Sequence, residues 1–200
     1  LGIRSTATGN TVVASNNTIR GLATSGTVTA VTGIILSGTM TGTTPSVNVS
    51  TNLLGSSSPG FVKYVFANSG ALTGISVANT VATTHNITNN DIQGISNLVA
   101  GTHSHTYINL AGATAANNVA TVSGNTFTNL NVNTTGSVTF ISHSYTVAAT
   151  GTQNITNNSI VTGFNKTAAG GTITGLTSGA SSATGAISNI TNNKIKMSFF

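Results

Sequence analysis

Short stretches in which apolar residues alternate with Thr, Ser and Asn recur along this chain. The most regular of them, Asn-Ile-Thr-Asn-Asn, occurs at Asn86–Asn90, Asn154–Asn158 and Asn189–Asn193. Aligning on it brings out three weaker copies. The six seven-residue segments begin at Val13, Asn48, Asn86, Thr121, Asn154 and Asn189, at steps of 35, 38, 35, 33 and 35 residues. Their second position is apolar throughout: Ala14, Val49, Ile87, Val122, Ile155 and Ile190. The third is always Ser or Thr. The fifth is always asparagine, at Asn17, Asn52, Asn90, Asn125, Asn158 and Asn193, and the seventh is always large and apolar, at Ile19, Leu54, Ile92, Phe127, Ile160 and Ile195. Agreement in all six copies at four positions is beyond chance, so the chain is a repeat with a period near 35.

Fainter signals fill each period. Val31–Ile34, Leu72–Ile75 and Ile173–Leu176 read Val/Leu/Ile-Thr-Gly-Ile/Leu, and Tyr107–Leu110 and Phe140–His143 take the matching place. A glycine followed by an apolar residue comes soon after the seventh position, as in Gly21-Leu22, Gly94-Ile95 and Gly163-Phe164. Each period thus predicts about three short extended segments separated by Gly, Asn and Ser turns.

Repeats of this length divide by what they stack. Helical repeats need runs of ten or more good helix formers at a 3.6-residue spacing, whereas this chain favours Thr, Val, Ile, Asn and Gly. Propeller blades use four longer antiparallel strands with aromatic signatures; here there are three Tyr, seven Phe and no Trp. A parallel β-helix fits. One period makes one rung, rungs pair in parallel about 4.8 Å apart, and five to six of them give a core on the order of 25 Å long. The second and seventh positions would both point inward across a strand–turn–strand corner, and each buried aliphatic side chain contributes about 1.5–3 kcal/mol. The fifth-position asparagine suits the corner twice over. It accepts the left-handed backbone conformation that other residues resist, and its amide both donates and accepts, so asparagines one rung apart form a continuous ladder.

Composition then narrows the function. The charged residues are Arg4, Arg20, Lys63, Lys166, Lys194, Lys196 and Asp91, against the quarter of a chain that is usual. The net charge of +5 reflects missing acids, not a basic patch, and nucleic-acid binding needs clustered Lys and Arg. With no cysteine there is no disulfide framework, thiolate metal site or thiol nucleophile. No apolar run reaches the roughly 18 residues of a membrane span. The whole of 1–200 reads as one β-helix domain, and Leu1 with no signal segment before it suggests a piece of a longer repeat protein.

The Asn-x-Thr-Asn-Asn-x-Ile rhythm, with Thr-Gly-Ile or Thr-Gly-Leu about fifteen residues apart from it, resembles the right-handed β-helix repeats of very large surface proteins of Bacteroidota, which are commonly exported by the type IX system. The resemblance covers nearly the whole chain. It implies a right-handed winding and an extracellular or cell-surface location. The same rung logic is similar to that of pectate-lyase-like enzymes, which work with Asp, Lys and Arg clusters, often with calcium.

Candidate chemistry is sparse. Asp91 is the one carboxylate side chain, so neither a carboxylate pair for glycoside hydrolysis nor an acidic calcium cage is available. It sits at the variable sixth position and reads as a solvated turn residue. His103-Ser104-His105 is the best metal suggestion, joined by His85 or His143 from adjacent rungs, but no third ligand is specified; the expectation is surface histidines, with no metal and no other cofactor. No serine has a nucleophile-elbow context. Sequons at Asn16, Asn48, Asn86, Asn133, Asn154, Asn165 and Asn189 follow largely from repeat geometry. Gly26–Thr29 and Gly171–Thr174 suggest a threonine array of the ice-binding kind, but Tyr64, His105 and Thr139 nearby break it. A glycan groove would show aromatic residues in register, for which Tyr64, Tyr107, Phe140 and Tyr145 are the candidates.

The expectation is therefore a non-enzymatic, right-handed parallel β-helix that builds a stalk, fibre or adhesive surface. Its partners would be further rungs or copies end to end, through an open last rung ending in Met197-Ser198-Phe199-Phe200, or surface glycans, with no nucleic acid and no membrane span. The alternative is a carbohydrate-binding or polysaccharide-degrading β-helix whose active part lies elsewhere.

Overall fold

The structure, a computed structural model, describes the chain except for residues 113, 146, 163, 179–182 and 197–200. The first turn runs through β1 (Ile3–Ser5), β2 (Thr11–Ser15), β3 (Thr18–Ile19) and β4 (Leu22–Thr24), and the second through β5 (Val31–Thr39), β6 (Ser46–Ser50), β7 (Leu53–Leu54) and β8 (Val62–Tyr64). The third comprises β9 (Leu72–Thr80), β10 (Ala82–Thr88) and β11 (Asp91–Asn97), and the fourth β12 (His105–Leu110), β13 (Thr114–Ser123) and β14 (Thr126–Val132). The fifth has β15 (Val138–His143), β16 (Thr152–Thr156), β17 (Ser159–Ile160) and β18 (Asn165–Lys166); β19 (Ile173–Ser178) and β20 (Ile187–Thr191) open a sixth.

Strands in the same place on successive turns pair in parallel. Sheet A has the order β1-β5-β9-β12-β15-β19 and sheet B the order β2-β6-β10-β13-β16-β20. Sheet C follows β3-β7-β11-β14-β17, with β8 on β11, β4 on β8 and β18 on β14. The protein is a parallel β-solenoid of about five turns with a period near 35 residues. The described residues contain no helix, and so none that could cross a membrane.

The seven-residue repeat is the junction of sheets B and C. Its second positions stack in register from Ala14 to Ile190, and its seventh positions from Ile19 through Leu54, Ile92 and Phe127 to Ile160. Both columns are buried in the first five turns. Ile190 and Ile195 are the exceptions: expected in the core, they are 47% and 52% exposed because no further described rung lies over them. The terminal Met197–Phe200 segment lies outside the described residues.

The corner turns on a different residue from the one expected. The left-handed position is the fourth, not the fifth: Asn16, Thr51, Asn89, Asn157 and Asn192 have φ between 54° and 59°, and Gly124 has 67°. That single left-handed residue bends the chain from sheet B into sheet C and leaves the fifth side chain pointing inward. Asparagine and glycine meet this demand at the least cost. Thr51 meets it against the preference of a β-branched side chain.

The Thr-Gly block also lands differently. In sheet A, Val31, Leu72, His105, Val138 and Ile173 are in register, as are Ile34, Ile75, Ile108, Ile141 and Leu176. Tyr107 and Phe140 therefore align with Gly33, Gly74 and Gly175, two residues away from the sequence alignment. The glycines have a packing reason. A Cβ on Gly33 would lie 2.7 Å from Leu54 Cδ2, one on Gly74 3.0 Å from Ile92 Cδ1, and one on Gly175 2.5 Å from Ile195 Cδ1. The bare backbone of sheet A makes room for the seventh-position side chain across the core. In the fourth and fifth turns aromatic rings fill this layer instead, with Tyr107, Phe127, Phe140 and Phe164 packed at centroid distances of 5.1–6.0 Å.

Candidate functional site

The fifth-position asparagines form an unbroken ladder. Asn17 Nδ2 donates to Asn52 Oδ1 (2.9 Å), Asn52 to Asn90 (2.8 Å), Asn90 to Asn125, Asn125 to Asn158 and Asn158 to Asn193 (each 2.9 Å). The same Oδ1 accepts the backbone N–H of the asparagine one rung earlier, at 3.0–3.1 Å. The second amide proton goes to the second-position carbonyl one rung earlier, as from Asn90 to Val49 and from Asn158 to Val122. Asn52, Asn90, Asn125 and Asn158 are buried. Each thus satisfies itself and parts of the rung before it, which is what an interior polar column requires.

First-position asparagines on the outer face of sheet B pair in the same way, Asn86 with Asn48 and Asn189 with Asn154, each at 2.8 Å. These sequon residues are tied into the repeat. The third-position hydroxyls face outward, and Thr156 Oγ1 donates to Ser123 Oγ at 3.0 Å. A threonine column does exist, and Thr174 of the Gly171–Thr174 segment belongs to it: Thr32, Thr73, Thr106, Thr139 and Thr174 stack on the outside of sheet A, so Thr139 continues the column it was expected to break. Gly26–Thr29 lies outside the strands.

The histidines are the main correction. Expected on the surface, all four are interior, with His85, His103 and His143 at 0% and His105 at 1% exposure. Each occupies a place in an inward column that its neighbours fill with aliphatic side chains or, for His103, packs at the turn before β12. His103 and His105 do share a face, stacked with centroids 4.7 Å apart, and Tyr64 stacks on His103 at 4.3 Å. His103 Nδ1 faces the Asn68 carbonyl at 2.9 Å and must carry the proton, so Nε2 accepts from Asn97 Nδ2 at 2.9 Å. His105 Nδ1 lies 3.3 Å from the Tyr107 hydroxyl and Nε2 has no partner. Burial holds all four rings neutral. It pushes His105 down to about 3, helped by the charges of His103 and Lys166, and His143 to about 4; His85 and His103 are lowered in the same way. No three His, Cys, Asp or Glu side chains among the described residues are placed to hold a metal.

The four aromatic candidates for glycan stacking are interior as well: Tyr64 and Tyr107 at 0%, Phe140 at 1% and Tyr145 at 4% exposure. Burial raises the three tyrosines, Tyr145 to about 12. Asp91 opens β11 and is half-buried rather than free in a turn. Its carboxylate accepts from Thr126 Oγ1 (2.8 Å) and Gln93 Nε2 (3.1 Å) on the outer face of sheet C.

Sheet C also carries an open groove of about 380 Å³, bordered by Pro59, Lys63, Ser96, Asn129 and Asn131. A smaller hollow of about 160 Å³ continues it past Asn97, Asn133 and Thr167. It is lined in part by the recurrent Gly21-Leu22 and Gly94-Ile95 pairs, but nothing in their spacing marks them as the wall of a groove, and Pro59, Lys63 and Asn131 come from segments that do not repeat. Its lining mixes apolar Leu22, Val62 and Ile95 with the Asn129 and Asn131 amides and the Ser57 and Ser96 hydroxyls, and Lys63 is the one charged residue among those bordering it.

Comparison with known proteins finds no matching family model, no matching characterised protein and no matching solved structure. The reading of function therefore rests on the geometry above. That geometry offers dense internal hydrogen bonding and outer faces with few charges, Asp91 and Lys63 on sheet C among them, and pairs no acid with a base in any of these places among the described residues.

Proposed function

We propose that the protein is a non-catalytic structural or adhesive β-solenoid, part of a stalk, fibre or filament on a cell surface or outside the cell. The observation that carries this reading is the asparagine ladder, which runs through all six copies with each amide from Asn17 to Asn158 bonded to the next rung. A column so complete, in a chain with one carboxylate side chain, devotes its recurrent polar residues to stacking rungs. The low charge supports association with more of the same, further rungs or copies end to end, with only a few cations to repel them. The resemblance of the repeat to the large surface proteins of Bacteroidota suggests right-handed winding and type IX export as part of the same proposal.

A second reading has one observation in its favour. The groove on sheet C, which sets the Asn129 and Asn131 amides beside apolar Leu22, Val62 and Ile95 and continues past Asn97, suits an uncharged saccharide, so the solenoid would carry or bind glycans there with any degrading activity lying elsewhere. The interior position of the tyrosines removes aromatic stacking from this reading.

Electron microscopy of the native particle tests the main proposal: a rod or filament of stacked rungs is expected, and a compact soluble particle with turnover of a polysaccharide would overturn it. A glycan array run with the protein and with Asn131→Ala distinguishes the second reading, which predicts a signal that the substitution abolishes.

A further inference from the structure

Sheet B presents a different outer surface from sheets A and C. Its six strands stay in register, and their outward side chains form three columns, from Thr11 to Ile187, from Val13 to Asn189 and from Ser15 to Thr191. Every place in them is Ser, Thr or Asn except Val13, Val119 and Ile187, and none is charged or aromatic. Rungs about 4.8 Å apart, with alternate residues about 6.7 Å apart along each strand, make the columns a lattice of about 24 Å by 13 Å. The neighbouring faces lack this uniformity. On sheet A the outward column beside the threonines contains Arg4 and Ile35, and sheet C carries Asp91, Lys63 and the groove.

The lattice is also held in place. Asn86 Nδ2 donates to Asn48 Oδ1 and Asn189 Nδ2 to Asn154 Oδ1, each at 2.8 Å, and Thr156 Oγ1 donates to Ser123 Oγ at 3.0 Å. Each bond sets one side chain against its counterpart on the adjacent rung, and ladders of this kind keep a sheet flat. An amide or hydroxyl engaged in one such bond still has capacity to donate or accept another.

We propose that the outer face of sheet B binds ice, its hydroxyl and amide lattice ordering the first layer of water that joins the crystal. The face is then the adhesive surface of the solenoid, and this assignment rests on that adhesive reading. Charge complementarity favours this partner. Ice is neutral, and each of its molecules both donates and accepts hydrogen bonds, as Ser, Thr and Asn side chains do. A lysine would hold a hydration shell of its own and break the layer; the six cations and Asp91 all lie outside the strands of sheet B. Threonine methyls, with Val13, Val119 and Ile187, add apolar surface, which gains from displacing poorly ordered water. One hydroxyl gains nothing over bulk water, but a rigid array engages many at once, so weak contacts add with little further ordering cost. A crystalline polysaccharide is also neutral and periodic, but the face offers its sugar rings no aromatic side chain to stack on.

Slow freezing of a solution of the whole chain tests this. The protein should be enriched in the growing ice, and the freezing point should fall below the melting point. Thr121 stands in the middle column between buried Ala120 and Val122, so Thr121→Tyr adds a bulky ring to the face without entering the core. Its melting temperature should hold while its enrichment drops to that of a non-binding control protein. Thr139→Tyr, on the outside of sheet A, should keep full enrichment. Exclusion of the unsubstituted protein from ice would overturn the assignment, as would equal enrichment of Thr121→Tyr. Sedimentation with crystalline cellulose or chitin, without enrichment in ice, would give the face to a polysaccharide and overturn it too. If Thr121→Tyr does not fold, Ser50→Lys, which places a cation on the same face, should show the loss instead. Exclusion from ice of a chain that electron microscopy shows as a rod refutes the ice face alone and leaves the stalk standing.

Discussion

Two adjacent asparagines in Asn-Ile-Thr-Asn-Asn do different work. The fourth bends the chain and the fifth stacks it. Their consequences separate experimentally. Replacing Asn157 (φ 59°) by Ala should cost about 1 kcal/mol through left-handed strain alone, and Asn157→Gly should cost much less. Thr51 is the poorest fit at this position, at φ 54°. Thr51→Asn, which installs the residue found in four other copies, should raise stability by about 1 kcal/mol in denaturant titrations. The histidines give the pH dependence. Their folded values lie below the unfolded value of about 6.5, so the neutral rings contribute stability that is complete above pH 6.5. That stability is lost as the pH falls toward about 4 for His143 and about 3 for His105. A melting temperature that is level from pH 7 to 9 and falls steeply below 6 is expected, with a loss of several kcal/mol by pH 4. One carboxylate side chain leaves little else to titrate there. At this scale the sequence revealed which residues recur but not which way they face: a histidine in an aliphatic column looks like a surface histidine until the column is known.

At the scale of the strand, the two-residue offset of Tyr107–Leu110 and Phe140–His143 has a simple origin. Side chains in a strand alternate with a period of two, so a slip of two keeps every residue on its correct face. Apolar pattern alone cannot detect it, and the true marker, glycine, is replaced by aromatic residues in those turns. The regular corner was legible because asparagine and the left-handed turn admit few substitutes, whereas the sheet C groove was not, because residues outside the repeat, such as Pro59 and Lys63, close it around the recurrent Gly-Leu and Gly-Ile pairs. The glycine column predicts the effect of filling it. A Cβ on Gly33 would meet Leu54 Cδ2 at 2.7 Å, Phe61 Cζ at 2.9 Å and the Gly74 carbonyl at 2.6 Å. Gly33→Ala should therefore destabilise by roughly 2–3 kcal/mol. Thermal melting checks it, and an unchanged melting temperature would show that sheet A yields without cost.

For the whole molecule, the period near 35 decided the architecture, because each rung contacts only its neighbours and stability is a sum of rungs and interfaces. The cations add a feature that linear position concealed. Arg4 and Arg20 lie in the first turn and Lys194 and Lys196 in the last, so four of the six sit on the outermost rungs. End-to-end association should accordingly strengthen as salt screens them, which sedimentation at low and high ionic strength would measure. The central claim, however, is that the fifth-position column holds the rungs together. Asn158 and Asn154 belong to one rung, and the two differ in what they hold. Asn158 Oδ1 accepts two bonds from Asn125, and its amide donates to Val122 and Asn193. Asn154 joins Asn189 alone, on the outer face. Equilibrium unfolding of Asn158→Ala and Asn154→Ala, side by side, is the most direct test. The ladder predicts a loss of about 3–5 kcal/mol for the first, from buried donors and a carbonyl left unpaired, and about 0.5–1 kcal/mol for the second. Equal losses would contradict it.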